Sequence, residues 1–278
     1  MPLSSYNEPN FIVTSPTEFV LLIEINRPEK LNAFNDALWT SLRTLFDTAS
    51  TDPDVRSVVL AARGRAFTAG LDLQSSTLTA TMTDAPDPAR AAQAMRRHIL
   101  DFQDAVSSIQ RCAKPVLAAC HGLTLGLGVD ILAASDVRYG AADTRLCIKE
   151  VDIGLAADIG SLQRLPHAVG NGGWVRELAL TARTVTADEA LRHGLLARVC
   201  PDRDATLAAA LDTAALIASK SPVAVQGTKF LLDYSREHAV QEGLLMTAVW
   251  NASMLQAKDV SDAIAAVLTK SPARFAKL

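Results

Sequence analysis

The chain has 278 residues, of which 49% are hydrophobic and 21% are charged. This is the composition of an ordinary folded protein, and it excludes an intrinsically disordered one. A formal net charge of -3 and a pI near 6 provide no basic surface for nucleic acid, and no polybasic run indicates binding to a membrane surface.

The spacing of the cysteines and the sequences of the two chain ends indicate in which cellular compartment the protein is expected. The four cysteines form no CxxC pair, which argues against a disulfide framework or a zinc site and favours a reducing compartment inside the cell. The first residues lack a signal sequence, and no apolar run reaches membrane-spanning length. The chain stops at Ala276-Lys277-Leu278, one small-residue change from the Ser-Lys-Leu peroxisomal address. We therefore expect a peroxisomal import receptor to bind this tripeptide. If the signal is not read, we expect the protein to stay in the cytosol.

Strands and helices alternate along the first two thirds of the chain. Apolar runs predict strands at residues 19–28, 57–62, 116–120, 135–141, 144–148 and 196–200. Helical spacing of apolar residues predicts helices from the N-cap Asn35 to residue 49 and at 95–109, 122–135, 159–169, 177–180 and 187–193. Residues 74–88, rich in Ser, Thr, Asp and Pro, predict a surface loop or lid. From residue 204 to the end, the pattern is helical throughout.

This order predicts an α/β core over residues 1–200 and a C-terminal helical region over residues 201–278. Long apolar helices at a C-terminus are typical of an oligomer interface, although they also cap the edge of a monomer. Both interpretations stay open at the level of the sequence.

Acidic residues within apolar, Gly-rich sequence mark the central stretch. Asp130 is the only formal charge from residue 116 to 135, and Asp158 is the only one from 153 to 163. Glu150 and Asp152 lie between them in the run KEVD. Burying a carboxyl in such surroundings raises its pKa, which is the property that acid–base catalysis requires.

Each acid also has a purely structural interpretation. Asp130 could be a helix-start acid, Asp158 an N-cap, and Glu150 an ion-pair partner of Lys149. Asp152 competes with Glu150, because the two would share one face if KEVD were extended. Asp136 with Arg138 has the spacing of a structural ion pair.

Two Gly-containing turns precede the acids. GRAFTAGLDL (64–73) and GLTLGLGVD (122–130) each follow a strand and open towards a helix. Glycine lets the backbone approach a ligand closely, and free N–H groups at helix starts point outward. Two such turns can together hold one developing oxyanion. Neither turn contains the GxGxxG or GxxxxGK[ST] patterns of nucleotide-binding loops.

These segments together resemble the enoyl-CoA hydratase/isomerase (crotonase) superfamily, from about residue 11 to the C-terminus. The resemblance is carried by 64–73, 122–140 and KEVDIGLAADIGSLQRLPHAVGN (149–171), with support from NRPEKLNAF (26–34) and TARTVTADEALRHGLLARV (181–199). Within the superfamily, KEVDIGLAADIGSLQRLP and SKSPVAVQGTK (219–229) are most similar to the Δ3,5-Δ2,4-dienoyl-CoA isomerases. The resemblance implies a crotonase-like spiral of ββα repeats with a C-terminal helical region.

The resemblance also implies a site. Glu150, Asp158 and Asp130 fall on the three acidic positions of the dienoyl-CoA isomerases, with Glu150 expected to take a proton from C2, Asp158 to protonate C6, and Asp130 to orient or tune the pair. The main-chain N–H groups of Leu71 and Leu127 fall on the oxyanion positions, although relatives usually carry glycine at the second. The residues expected to bind the substrate and its CoA are Thr68, Ala69, Gly70, Leu71, Asp72, Leu73 and Gly126.

The implied activity is the conversion of 3,5-dienoyl-CoA to 2,4-dienoyl-CoA in fatty-acid β-oxidation. No metal or redox cofactor is expected, since the CoA thioester is itself the substrate, and the expected assembly is a homo-oligomer, a trimer or hexamer. A simple hydratase of the superfamily carries glycine at the position of Asp158, so Asp158 discriminates the two activities. The alternatives are an enoyl-CoA hydratase and a non-catalytic acyl-CoA-binding protein on the same fold.

Overall fold

The computed structural model of the chain describes residues 3–74 and 86–278. The described strands are β1 (Phe11–Thr17), β2 (Val20–Ile25), β3 (Ser57–Ala62), β4 (Ala66–Thr68), β5 (Val116–Cys120), β6 (Leu123–Leu125), β7 (Val137–Ala141), β8 (Arg145–Cys147), β9 (Val185–Thr186) and β10 (Arg198–Cys200). The described α-helices are α1 (Asp36–Thr51), α2 (Pro88–Arg111), α3 (Leu127–Ala134), α4 (Ser161–Ala168), α5 (Gly172–Thr181), α6 (Ala187–Arg192), α7 (Arg203–Ala218), α8 (Pro222–Glu237), α9 (Val240–Met254) and α10 (Lys258–Thr269).

The strands form two sheets to which the chain adds in turn. The larger sheet has the order β1-β2-β3-β5-β7-β10, and the smaller has the order β4-β6-β8-β9. β3, β5 and β7 enter the larger sheet in parallel, and the next strand of each, β4, β6 and β8, enters the smaller one. A helical segment follows each of these strand pairs before the next begins. The expected spiral of ββα repeats is confirmed.

The central strands of the larger sheet are buried on both faces, as is typical of parallel strands made of largely apolar runs. Every residue of β2 and β3 is buried. Alternate residues of β2, such as Leu21 and Ile23, pack into the main core with α1 and α2. The residues between them, such as Leu22, face a second cluster that α7 covers with its small residues Ala210 and Ala214.

The C-terminal helices leave large apolar side chains at the surface of the chain. α7 packs on the larger sheet, whereas α8, α9 and α10 expose the side chains of Leu232, Val240, Leu244, Leu245, Val249, Val267 and Leu268. Among the described residues no single helix is long and apolar enough to cross a membrane, and only α7 and α8 taken together, with a bend of 112° between them, reach that length and hydropathy. The division of the chain at residue 200 stays a prediction.

The structure departs from the predicted elements in several places. β1 and β6 were not expected, because β1 pairs antiparallel at the edge of its sheet and β6 has only three residues. The prediction of helix to the very end is wrong. α10 stops at Lys270, whose left-handed conformation caps the helix, and residues 271–278 follow as irregular chain. Most of the predicted loop at 74–88 lies outside the described residues, and its last residue, Pro88, begins α2.

Two predicted ion pairs are also replaced. Asp136 pairs with Lys229 at 2.8 Å, while Arg138 donates to the main-chain oxygens of Ser135 and Leu195. KEVD is not extended, because Glu150–Ile153 forms a 3-10 helix. Within that turn Lys149 pairs with Asp152, so Glu150 is left to point elsewhere.

Candidate active site

One cavity of about 140 Å³ collects most of the predicted site residues. It lies between α2, the end of β4, the start of α3 and the 3-10 helix at Glu150–Ile153. The wall is mostly apolar, and α2 contributes His98, Ile99 and Phe102 to it. The carboxyl-bearing residues on the wall are Glu150 and Asp158, so two acids share one apolar space.

The first turn aims a main-chain N–H at this cavity. Phe34 and Leu71 form a parallel bridge in which Phe34 N–H donates to Gly70 O at 2.8 Å and Asp72 N–H donates to Phe34 O at 2.7 Å. In a parallel bridge these bonds use the residues on either side, so the N–H of Leu71 points away from Phe34. Leu71 lines the cavity on that other side. Gly70 has φ +95°, and an added Cβ would lie 3.1 Å from Leu125 O.

The second turn, at the start of α3, also presents a main-chain N–H next to the cavity. Gly126 has φ +48°, and its N–H donates to Cys147 O at 2.8 Å, which ties the turn to β8. Leu127 is the first residue of the helix, so its N–H belongs to the first turn, where no intrahelical acceptor exists. Leu127 adopts the helical conformation and is 3% exposed, so the fold accommodates a leucine at this position. Its side chain forms part of the cavity wall.

Glu150 lies beside the second turn. Its side chain is 8% exposed, and an added Cβ at Gly126 would lie 3.2 Å from Glu150 Oε1, so the glycine makes room for the carboxyl. Among the described residues Glu150 Oε2 has no hydrogen-bond partner. Burial raises the pKa of the Glu150 carboxyl, its own main-chain N–H lowers it, and the charge of Asp158 raises it again. The two carboxyls are therefore close enough to interact.

Asp158 lies on the same wall, between the 3-10 helix and α4. Burial raises the pKa of its carboxyl, and the nearby His98 lowers it. The main-chain oxygen of Asp158 accepts a bond from Gln103 Nε2 at 2.6 Å, which fixes the residue to α2. The N-cap of α4 is Gly160, so the interpretation of Asp158 as an N-cap is wrong.

Asp130 lies behind the cavity wall. It is fully buried in α3, and its Oδ1 accepts bonds from Ser161 N at 2.5 Å and Ser161 Oγ at 2.6 Å. Its Oδ2 has no partner among the described residues. Burial raises the pKa of this carboxyl to about 7, the bonds from Ser161 lower it, and the charge of Glu150 raises it. Asp130 thus contacts the start of α4, and not the cavity.

Two of the residues predicted to bind substrate are also set back from the wall. Thr68 is fully buried, donates to Asn32 O at 2.7 Å and accepts from Gly70 N, so it shapes the first turn. Asp72 pairs with Arg27 at 2.8 Å. By contrast, the cavity wall includes the predicted residues Ala69, Gly70, Leu71, Leu73, Gly126 and Leu127.

The structure adds residues that the sequence did not single out. The sequence places His98 and Gln103 only within a helical segment, and it places Arg164 in the run KEVDIGLAADIGSLQRLP without indicating a role for it. A metal site is not indicated by the described residues, which contain no group of three or more His, Cys, Asp or Glu able to hold an ion. The absence of a cofactor stays a prediction.

Comparison with known proteins identifies the family to which the chain belongs. Residues 16–277 match the family model described as enoyl-CoA hydratase/isomerase. The chain is 46% identical over 279 residues to the mitochondrial Δ3,5-Δ2,4-dienoyl-CoA isomerase of Rattus norvegicus, covering 99% of this chain and 85% of the relative. It is 38% identical to the peroxisomal Δ3,5-Δ2,4-dienoyl-CoA isomerase of Arabidopsis thaliana, covering all of both chains. The crystal structure of an enoyl-CoA hydratase from Bacillus anthracis superposes with a TM-score of 0.87 at 26% identity, covering 96% of this chain and 99% of that one.

Proposed function

Because the chain belongs to the enoyl-CoA hydratase/isomerase family, we infer that it is a Δ3,5-Δ2,4-dienoyl-CoA isomerase. The observation that carries the mechanism is the pair Glu150 and Asp158 in one cavity, beside the two turns of Leu71 and Leu127. The reaction moves a double-bond system one step along the acyl chain of a CoA thioester. It requires removal of a proton at C2 and delivery of a proton at C6.

The separation of these carbons explains why two acids are useful. At roughly 1.2 to 1.3 Å of progress per bond, C2 and C6 of an extended chain lie about 5 Å apart, beyond the reach of one hydrogen-bonded carboxylate. Glu150, as the ionised base, takes the C2 proton. The negative charge spreads over the dienolate and onto the thioester oxygen, where the N–H groups of Leu71 and Leu127 stabilise it.

Asp158 then completes the reaction as the acid. Burial raises its pKa, which favours the protonated form that can donate to C6. The new C–H bond forms as the O–H bond of Asp158 breaks, and the dienolate electrons return to the 2,4-diene. Glu150 is then protonated and Asp158 ionised, so both exchange protons with water before the next turnover. Asp130, one layer behind, acts on the pair through charge and through Ser161.

The enoyl-CoA hydratase alternative is less well supported. A hydratase must place a water between two carboxyls, and a third acid at the far end of an apolar cavity serves no step of that reaction. Asp158 and its apolar neighbours on the wall, such as Ile153 and Leu155, favour proton transfer along a diene.

The test follows the ultraviolet absorbance of the conjugated product when 3,5-dienoyl-CoA is supplied. Asp158→Asn should reduce the rate by about 10²-fold or more, the range expected for loss of a general acid, while binding of the CoA ester is retained. Asp152→Asn is the matched control, because Asp152 is a nearby carboxyl that pairs with Lys149. This variant should leave the rate unchanged. Near-normal turnover in Asp158→Asn would refute the assignment of the distal acid.

The same assay separates a non-catalytic protein from an enzyme. A scaffold on this fold would bind acyl-CoA and leave the diene absorbance of the wild-type mixture constant. Water addition across a 2-enoyl-CoA, with no diene signal, would instead identify the hydratase.

Assembly and compartment are proposals of their own. The exposed apolar side chains of α8–α10 support a homo-oligomer, with a trimer or hexamer implied by the family, and a monomeric molar mass at micromolar concentration would contradict it. The named relatives are mitochondrial in Rattus norvegicus and peroxisomal in Arabidopsis thaliana. We propose the peroxisome, with Ala276-Lys277-Leu278 as the address that the import receptor binds. A fluorescent fusion without these three residues should become cytosolic, and continued import would exclude them.

A further inference from the structure

The segment that carries Asp158 is held by side chains from three helices. Gln103 of α2 donates to Asp158 O at 2.6 Å. Arg164 of α4 donates to the main-chain oxygen of Ile159 at 3.3 Å. Asp130 of α3 accepts both bonds from Ser161. Three of the four consecutive residues 158–161 therefore have a side-chain partner outside the segment.

Arg164 connects these anchors to α2. Besides Ile159, its guanidinium donates through Nε to Gln110 Oε1 at 2.8 Å and through Nη2 to Ser107 Oγ at 2.7 Å. Gln103, Ser107 and Gln110 follow the spacing of one helix face. The planar guanidinium fork thus has separate acceptors for Nε, Nη1 and Nη2, a geometry that an ammonium group cannot reproduce.

Gly160 provides the space in which the guanidinium lies. Its φ is +136°, and an added Cβ would be 1.8 Å from Arg164 Nη1. A side chain at position 160 would therefore displace the guanidinium. The close approach of Gly160 and Arg164 is therefore a second observation, separate from the hydrogen bonds, that Arg164 is fitted to this place.

The hydrogen bonds of Gln103 and Arg164 do not reach the proximal end of the site. Glu150 belongs to the 3-10 helix, and Leu71 and Leu127 are positioned by strand ends. The hydrogen bonds of Arg164 are directed to Ile159, Ser107 and Gln110, none of which belongs to those elements. Loss of the network should therefore move Asp158 while leaving Glu150 and the oxyanion donors in place.

We propose that Arg164 and Gln103 are positioning residues for the distal proton transfer, holding Asp158 at the distance that C6 requires. The inference rests on the proposed function, because it assigns the step in which Asp158 acts. A displacement of about 1 Å is enough to reduce a proton-transfer rate by about 10²-fold. The two residues should therefore control protonation at C6 and leave proton removal at C2 intact.

Two readouts on the same substrate test the proposal. The first is the rise in diene absorbance, which needs both acids. The second is uptake of deuterium at C2 of 3,5-dienoyl-CoA in heavy water, which needs only Glu150 and the oxyanion turns, and is measured by mass spectrometry of recovered substrate. A wild-type enzyme that gives no diene signal would refute the proposed function itself, separately from the role of Arg164.

The variants are Arg164→Lys and Gln103→Ala, with Gln163→Ala as control. Arg164→Lys keeps the charge but loses the fork, and Gln103→Ala removes one half-buried amide. Both should lower isomerisation, by about 10- to 100-fold for Arg164→Lys and less for Gln103→Ala, while C2 deuterium uptake stays at or above the wild-type rate. Gln163 is an exposed neighbour on α4, and its removal should change neither readout.

Two results would overturn the proposal. Isomerisation by Arg164→Lys within about 2-fold of wild type would show that the fork does not position the acid. If isomerisation and C2 uptake fell by the same factor in both variants, Arg164 and Gln103 would support the structure of the whole site and not the position of Asp158 alone. Retained C2 uptake also reports that the variant is folded, so a loss of isomerisation alone cannot be assigned to unfolding.

Discussion

The two ends of the cavity are held in different ways. At the proximal end, main-chain hydrogen bonds of Phe34 with the Leu71 turn and of Gly126 with β8 fix the two turns, and Gly126 leaves room for Glu150. At the distal end, the main chain of the Asp158 segment is fixed by side chains of α2, α3 and α4. One half of the cavity is thus held by main-chain hydrogen bonds, and we call it the backbone-built half. The other half is held by side chains.

This difference determines what a single substitution can do. A main-chain oxygen survives every substitution and a main-chain N–H survives every one except proline, so these two turns change chiefly when their conformation is altered. A side-chain anchor disappears with one change of residue. We therefore expect the distal end to be the more easily adjusted half and the proximal end to fail only through its glycines or its base.

The largest effect should come from removing the proximal base. Glu150→Gln keeps the size of the side chain but cannot accept the C2 proton, so both the diene signal and C2 deuterium uptake should fall by about 10²- to 10⁴-fold. In Asp158→Asn only the diene signal should fall. If C2 uptake survives in Glu150→Gln, another group is the base and the two-ended comparison is wrong.

The next effect tests the backbone-built half through Gly126. Gly126→Ala places a Cβ 3.2 Å from Glu150 Oε1 at a φ of +48°, with strain on the order of 1 to 3 kcal/mol. Both readouts should fall together, by about 10-fold, since the proposed oxyanion donor Leu127 follows Gly126 directly and the proposed base Glu150 lies against it.

A matched control separates strain from crowding. Gly194→Ala also introduces a side chain at positive φ, +79°, but nothing lies within 4 Å of the added Cβ. It should lower the free energy of unfolding, measured in urea, without changing either readout. Loss of activity in both variants would show that strain alone explains the effect of Gly126→Ala.

The smallest effect concerns stability and pH. Burial raises the pKa of Asp130 to about 7, above its value of 3.8 in a free side chain. Because the folded form holds the proton more tightly, this group stabilises the fold below pH 4 and loses that contribution as the pH rises to 7. Asp130 should contribute a fall of at most roughly 1.4 kcal/mol per pH unit to the free energy of unfolding over that window, so the wild type should lose more stability with rising pH than Asp130→Asn does.

The measurement is urea unfolding of both proteins at pH 5 and pH 8. Asp212→Asn, which changes an exposed carboxyl of α7, gives the baseline. Equal pH dependence in wild type and Asp130→Asn would contradict the burial of an ionisable group at this position.

The backbone-built half was also the more predictable from the sequence. Strands β2, β3 and β5 are largely apolar runs. The glycines at 70 and 126 come shortly after β3 and β5, each just beyond a short strand, β4 or β6, that the sequence did not indicate. Local signals are sufficient there, because a strand end and a glycine are neighbours in the chain. Leu127 fits for a reason that is equally local, since its conformation is helical.

The distal half could not be predicted in the same way. Gln103 and Asp158 are 55 residues apart, and Arg164 and Ser107 are 57 apart. Such contacts depend on how α2 and α4 are packed, and no spacing pattern records them. The same limitation explains the error at Asp136, whose partner Lys229 lies 93 residues away. The error at Lys149 has a local cause instead, because the 3-10 turn brings Asp152, and not Glu150, to its side chain.

One face of helix α2 contributes both to the cavity wall and to the anchoring of Asp158. Ile99 lines the cavity, while Gln103 one turn later reaches the main chain of Asp158. The size of the cavity and the position of Asp158 therefore depend on different side chains of one helix. A larger or smaller residue at 99 should change the space that the cavity offers while leaving the Gln103 anchor of Asp158 in place.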